Sequence, residues 1–268
     1  MPFPTTHPAL ARALAAHGYA EPTPVQDAVL QPHTAGRDLL VSAQTGSGKT
    51  VAYGLAFADT LLDGAEFLPR AGAPLALVIA PTRELALQVH GELSWLYAEA
   101  GARVAACVGG MDARREARML ASGCHIVVGT PGRLGDHMRR GQLDLSALRV
   151  VVLDEADEML DMGFREELHA ILDATPADRR TLLFSATIPR EIAALARSYQ
   201  RDALRIDTVA RNVPHNDIEY RAIRVTPADA ARAVVNVLRL YESRAAIVFC
   251  HTRDAVRSMH AFLLERGF

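Results

Sequence analysis

The 268-residue sequence is narrowed first by what it does not contain. No uninterrupted apolar run approaches the roughly 20 residues that a bilayer-spanning helix needs, so a transmembrane reading is excluded. The opening Met1-Pro2-Phe3-Pro4-Thr5-Thr6 has neither the basic n-region nor the apolar h-region of a secretory leader. Cysteines are scattered and only 3 in number, too few and too irregular for a disulfide framework, and a reducing cytoplasmic setting is expected. The adjacent Cys250 and His251 have no second pair at ligand spacing, so no zinc site is expected. Basic residues do not predominate either: 29 Lys and Arg against 31 Asp and Glu leave a net charge of −2. Bulk charge therefore announces no nucleic-acid binder, and any such function must be argued from motifs. Internal repeats and low-complexity tracts are absent.

What is present describes a globular chain, 50% hydrophobic and 22% charged, longer than the roughly 100–150 residues of a typical single core. Short apolar runs at 38–41, 75–79, 126–128, 150–153 and 181–184 have the length and unbroken hydrophobicity of strands buried on both faces. Between them, 83–100, 114–122 and 166–172 carry apolar residues at helical spacing. Strand alternating with helix predicts an α/β fold with a central, mostly parallel sheet flanked by helices. Residues 1–207 form the expected first domain, and 208–217, with no periodicity and with Asn212, Pro214 and Asn216, form a linker. The remaining 218–268 read as strand 218–225, helix 228–241, strand 245–249 and helix 253–265, too little to close a doubly wound sheet.

Ala43-Gln44-Thr45-Gly46-Ser47-Gly48-Lys49-Thr50 follows the first of these strands and precedes a helical stretch, the setting of a phosphate-binding loop. Small residues let backbone N–H groups close on phosphate oxygens at a helix N-terminus, Lys49 reaches the β/γ-phosphates, and Thr50 offers a hydroxyl to Mg²⁺. Ala43 stands where the generic pattern has glycine. Asp154 ends the run 150–153, so its carboxylate emerges at the carboxyl edge of the sheet, where open α/β folds bind ligands. It suits Mg²⁺ ligation, partly through water. Glu155 next to it is the candidate base for an attacking water. The competing reading has Asp154-Glu155 capping the next helix.

Taken with Asp154-Glu155-Ala156-Asp157 and Ser185-Ala186-Thr187, the loop resembles the DEAD-box family of ATP-dependent RNA helicases. Residues 18–26, GYAEPTPVQ, resemble its Q motif, Pro81-Thr82-Arg83-Glu84-Leu85-Ala86 motif Ia, Gly109-Gly110 the glycine doublet, Thr130-Pro131-Gly132-Arg133 motif Ib, and residues 247–253 motif IV. The stretch DEADEMLDMGF, 154–164, resembles bacterial members of the Hera or RhlE type. The resemblance implies a RecA-like P-loop NTPase domain followed by an incomplete second RecA-like unit, with ATP and Mg²⁺ as ligands.

Gln26 can pair bidentately with the N6/N7 edge of adenine, which would select ATP. The resemblance adds Tyr19 to the nucleotide site and offers Phe3 as the aromatic stacked on adenine, although it stands closer to the motif than the family's spacing. It also implies single-stranded or locally duplex RNA on Pro81, Thr82, Arg83, Gly109, Gly110, Thr130, Pro131, Gly132 and Arg133, through phosphates and sugars rather than bases. It implies that Asp157, Ser185 and Thr187 couple the ATP site to interdomain movement. Motifs V and VI, which carry the arginine fingers, do not occur in the sequence. Feeble hydrolysis and no unwinding are therefore expected of these residues alone. Trp95 and Tyr97 read as packing residues, Cys107 and Cys124 as small core residues, and Arg139-Arg140 as solvated loop charge.

Overall fold

The computed structural model describes residues 3, 6–208 and 219–268 and divides the chain into two compact units, 1–211 and 212–268. In the first unit the elements run α1 (Pro8–Ala16), α2 (Pro24–Val29), β1 (Leu39–Ser42), α3 (Lys49–Ala56), α4 (Ala58–Leu62), β2 (Ala76–Ile79) and α5 (Arg83–Leu96). They continue with β3 (Val104–Cys107), α6 (Ala113–Ala121), β4 (Ile126–Gly129), α7 (Pro131–Arg139), β5 (Val150–Leu153) and α8 (Ala156–Asp161). Last come α9 (Arg165–Asp173), β6 (Arg180–Ser185), α10 (Arg190–Tyr199) and β7 (Leu204–Asp207). Among the described residues no helix is long and apolar enough to cross a membrane.

Seven strands form one sheet in the order β3-β4-β2-β5-β6-β1-β7, and every pairing in it is parallel. Strands β2, β4, β5 and β6 are buried throughout, as their unbroken apolar runs require. Alternate side chains feed opposite faces. Val78, Val128, Val152 and Phe184 join Leu10, Tyr53 and Leu93 of the helices on one side. Leu77, Val127, Val151 and Leu153 meet Leu134, Met159, Leu168 and Ile192 on the other. Strand β3 went unnoticed in the sequence because Val104-Ala105-Ala106-Cys107 has little β-propensity; its position at the sheet edge, beside a single neighbour, accommodates that. Arg139 and Arg140 close α7, with Arg140 held to Asp136 at 3.0 Å, and so are helix-end charges rather than loop charges.

Asp38, immediately before β1, ties the sheet to its last crossover. Its Oδ1 accepts the Thr181 N–H at 2.7 Å and its Oδ2 the Arg201 N–H at 2.6 Å, on a side chain that is almost fully buried. Asp38→Ala strands one buried donor, worth about 1–3 kcal/mol, and one part-buried donor, worth about 1 kcal/mol, so a loss on the order of 2–4 kcal/mol is expected. At about 2–4 °C per kcal/mol for a unit of this size, thermal unfolding followed by circular dichroism should shift down by roughly 5 °C or more. A shift below about 2 °C would show that the pairings are dispensable.

In the second unit α11 (Ala230–Tyr241) and α12 (Arg253–Leu264) form where helices were expected. The strands expected at 218–225 and 245–249 do not: residues 219–226 and 245–250 are assigned no regular structure, and residue 218 lies outside the described residues. Residues 209–217 of the expected linker lie outside them as well. A β-strand exists only through its ladder, and the described residues of this unit pair with no second strand. Ile223, Ile247 and Phe249 consequently stand exposed around an open apolar hollow of about 510 Å³.

Candidate functional site

Because all seven strands run the same way, their C-terminal ends gather the candidate residues along one edge. Ser42 is in register with Ser185, Leu153 with Leu183, and Ile79 with both Leu153 and Gly129. The residues that follow β1, β5 and β6 thus lie in one half of the edge, and those following β2, β4 and β3 in the other.

In the first half the chain leaves β1 through Ala43, whose N–H continues the ladder to the Ser185 carbonyl at 3.0 Å. Ala43 is fully buried and has no positive φ, so the glycine of the generic pattern is not required there. The loop turns on Gly46 and Gly48, at φ 81° and 84°, and Ser47 Oγ donates to the Gln44 carbonyl. A Cβ on Gly48 would lie 2.6 Å from Gln26 Nε2. Helix α3 then opens on Lys49, the only lysine in the sequence. Its Nζ stands 3.5 Å from Glu155 Oε1 and 4.0 Å from Asp154 Oδ1, with all three side chains wholly or largely buried.

Glu155 is held at φ 51°, a left-handed conformation that costs a non-glycine residue about 1 kcal/mol or more and concentrates at functional sites. The kink turns its carboxylate back over the loop, where Thr45 Oγ1 donates to it at 3.0 Å. Glu155 occupies the N-cap position of α8 but makes no side-chain cap hydrogen bond, so of the capping reading only the acidic charge at the helix N-terminus holds. Asp154 accepts one hydrogen bond from the Tyr53 hydroxyl at 3.1 Å, while its Oδ1 is buried without a hydrogen-bond partner. Burial pushes the Asp154 carboxyl up to about 6, against the opposing pull of Lys49. Tyr53 was missed in the sequence, yet it follows Lys49 by one helical turn on the same face of α3, and that spacing was the available signal.

Gln26 is fully buried and links the Q-motif segment to this loop. Its Oε1 accepts the Thr23 N–H at 3.0 Å, completing a capping box on α2, and its Nε2 donates to the Gly48 carbonyl at 3.2 Å. The Tyr19 ring tilts against Trp95, which also stacks on His17, and Phe3 packs partly buried against the core. Tyr97 is buried with its hydroxyl donating to the Gly54 carbonyl, so both Trp95 and Tyr97 are packing residues.

Asp157 bridges the loops after β5 and β6. Its backbone N–H donates to Ser185 Oγ at 3.2 Å, and its Oδ2 accepts from the Thr187 N–H and hydroxyl at 2.9 and 2.8 Å. Burial opposes its ionisation, but these hydrogen bonds outweigh that and hold its carboxyl below the ordinary value.

In the second half of the edge Pro81 and Thr82 follow β2, and Thr82 caps α5 through the Leu85 N–H. Arg83 is exposed beside the glycine doublet, with Nη1 3.5 Å from the Gly109 carbonyl. Thr130 occupies the N-cap position of α7 without a side-chain cap bond, followed by Pro131 and the exposed Gly132. Arg133 is turned inward, its side chain only 14% exposed. Its Nε donates to the Val108 carbonyl and its Nη2 to the Met111 carbonyl.

The first unit is thus a parallel α/β domain with a glycine-turned loop between β1 and α3, an acidic pair against the lysine of α3, and a second cluster of loops on the same edge. Residues 23–195 match the family model described as DEAD/DEAH box helicase, and the chain belongs to that family. It is 37% identical over 257 residues to the ATP-dependent RNA helicase DbpA of Bacillus subtilis, a match covering 96% of this chain and 52% of that protein. It is likewise 37% identical over 259 residues to the DEAD-box ATP-dependent RNA helicase CshA of Bacillus licheniformis, covering 97% and 52%. Among solved structures it resembles a DEAD box protein from the hyperthermophile Methanococcus jannaschii, with a TM-score of 0.70 and 32% identity over 99% of this chain and 70% of that one. The chain spans about half the length of the curated relatives it matches.

Proposed function

We propose that these residues are the nucleotide-binding core of an ATP-dependent RNA helicase, taking ATP with Mg²⁺ on one half of the sheet edge and the RNA backbone on the other. The observation that carries the reading is the placing of Lys49 3.5 Å from Glu155 and 4.0 Å from a buried Asp154 oxygen that has no hydrogen-bond partner. Phosphate oxygens would draw Lys49 off Asp154 and Glu155, leaving a buried carboxylate in need of a cation. Thr50 and Asp154 offer the hard oxygen donors that suit Mg²⁺, which when bound offsets phosphate charge. Glu155, hydrogen-bonded by Thr45, would then be released to orient and deprotonate a water for attack on the terminal phosphate. Gln26 would favour adenine by turning its amide from Thr23 and Gly48 to the base edge.

Arg83, Thr130, Gly132 and the exposed Gly109-Gly110 turn offer a cation, a hydroxyl and backbone N–H groups, which suit phosphates and 2′-hydroxyls but distinguish bases poorly. The contacts of Asp157 with Ser185 and Thr187 would tell the β6 loop whether nucleotide is present, which suits coupling to a second domain. Three free cysteines, two of them buried, suit a cytoplasmic setting. The test is nucleotide binding by fluorescence titration together with hydrolysis measured against RNA and DNA of equal length. Binding of ADP, with stimulation by RNA and not by DNA, is expected; turnover by these residues alone should be slow for want of an arginine finger, worth roughly 10³–10⁵ in rate. Equal stimulation by both polymers would refute the RNA reading.

A further inference from the structure

Beneath the exposed 109–111 turn lies a buried polar cluster that the nucleotide site does not use. Glu116, on the inner face of α6, is 3% exposed. Its Oε1 accepts the Val108 N–H at 3.1 Å. Its Oε2 stands 2.7 Å from His137 Nε2 and 3.4 Å from Arg133 Nε. His137 is fully buried on α7, and its Nδ1 is 2.8 Å from Gln142 Oε1. Arg133 completes the cluster by donating to the carbonyls of Val108 and Met111, on either side of the glycine doublet.

We propose that Glu116, His137 and Arg133 form a positioning unit that holds the Gly109-Gly110 turn in its RNA-competent shape, and that Arg133 acts through this turn rather than on a phosphate. The proposal rests on the RNA reading of this surface. Three observations favour it. Every polar atom of the Glu116 carboxylate is committed to the turn or to a residue that holds it. The Arg133 guanidinium is spent on two backbone carbonyls and a carboxylate, whereas Arg83 is exposed, with Nη1 3.5 Å from the Gly109 carbonyl. The doublet also holds a backbone shape that few residues adopt, with Gly110 at φ 77°. An unheld turn would present its N–H groups in many orientations, and ordering them would weaken RNA binding.

Cys107, Glu116 and His137 also lie with their ligand atoms within 4.8 Å of one another, the spacing of a metal site. The cluster is better read as an anchor. Both imidazole nitrogens and both carboxylate oxygens already have partners, and a guanidinium occupies the position of a cation. Burial, then the nearby Glu116 charge, pushes the Cys107 thiol up to about 12, so with no metal present it is a neutral thiol.

Salt dependence separates a phosphate contact from a positioning residue, because each phosphate contact to a single strand adds about 0.7 to the slope of log Kd against log salt. The experiment titrates a fluorescein-labelled oligouridylate against the full chain over a series of KCl concentrations. Arg83→Ala should lower the slope by about 0.7, whereas Arg133→Ala and Glu116→Ala should weaken binding about tenfold at every salt with the slope unchanged. The double variant should be no weaker than the weaker single, because both act on one turn. Glu116→Gln, which keeps the acceptor for Val108, should recover part of the loss, and affinity for a fluorescent ADP should stay within about twofold in all variants. Amide hydrogen exchange gives an RNA-free readout, with residues 108–111 expected to exchange faster in Glu116→Ala and Arg133→Ala.

A slope lowered by Arg133→Ala as much as by Arg83→Ala, or losses that multiply in the double variant, would overturn the proposal. So would unchanged exchange. If the parent chain binds no oligouridylate, the RNA reading falls and takes that half of the proposal with it, while exchange still decides the anchor.

Discussion

Asp154→Asn is expected to stabilise the ligand-free protein while removing the Mg²⁺-dependent part of its nucleotide affinity. The ionised carboxyl is buried with one oxygen unpartnered and a lysine no nearer than 4.0 Å, and its value rises from 3.8 to about 6. A carboxyl whose folded value lies above its unfolded one binds its proton more tightly in the folded chain. The folded state is therefore favoured most below about pH 4, loses that advantage as pH rises towards 6, and bears a constant cost above it, on the order of 2–3 kcal/mol. The carboxamide escapes this cost. Thermal unfolding of Asp154→Asn near pH 7.5 should lie several degrees above the parent, roughly 4–8 °C, with the difference gone near pH 4. In the parent, affinity for Mg²⁺–ADP should climb between about pH 5 and 7 as the carboxyl ionises, and in the variant it should not. A variant less stable than the parent at neutral pH would show that Asp154 serves the fold rather than a cation.

Lys49→Ala should lower ADP affinity by at least about 100-fold, since a charge-assisted contact with phosphate in a water-poor site is worth about 3 kcal/mol. The side chain is only 6% exposed and has no other cation to replace it in the loop. Its removal also takes away the charge that lowers the Asp154 value, so that carboxyl should be protonated to still higher pH, compounding the loss of Mg²⁺. Lys49 being the sole lysine, an amine-reactive ester can modify only it and the chain's N-terminal amine. In the parent, ADP with Mg²⁺ should protect one of these two sites in intact-mass spectra. Affinity of the variant within about fivefold of the parent, or labelling that ADP leaves unchanged, would sink this reading of the loop.

The parts of the site that could be read along the chain are those whose chemistry is local. The candidate phosphate loop is eight consecutive residues and Asp154 directly follows an apolar run, so their settings, between β1 and α3 and at the end of β5, could be read from spacing alone. Buried parallel strands announce themselves by unbroken apolar runs, which is why β2, β4, β5 and β6 were evident and the alanine-rich edge strand β3 was not. The same rule fails for the strands expected at 218–225 and 245–249, whose described residues form none, because a strand needs a neighbour, which hydrophobicity by itself does not supply.

Whatever depends on two distant segments was decided by the tertiary structure. The hydroxyl of Tyr53 meets Asp154 across 101 residues, and Glu116 meets His137 across 21, because parallel crossovers bring successive strand ends to one edge. Arg83 and Arg133 look alike as arginines following strands, yet one is exposed and the other is folded under a turn. That difference is set by the carbonyls of Val108 and Met111 and the buried Glu116 carboxylate, all of which lie outside the motif that contains Arg133. The acidic pair and its lysine could be named from sequence. That one carboxylate oxygen is buried without a hydrogen-bond partner follows only from how the strands close around it.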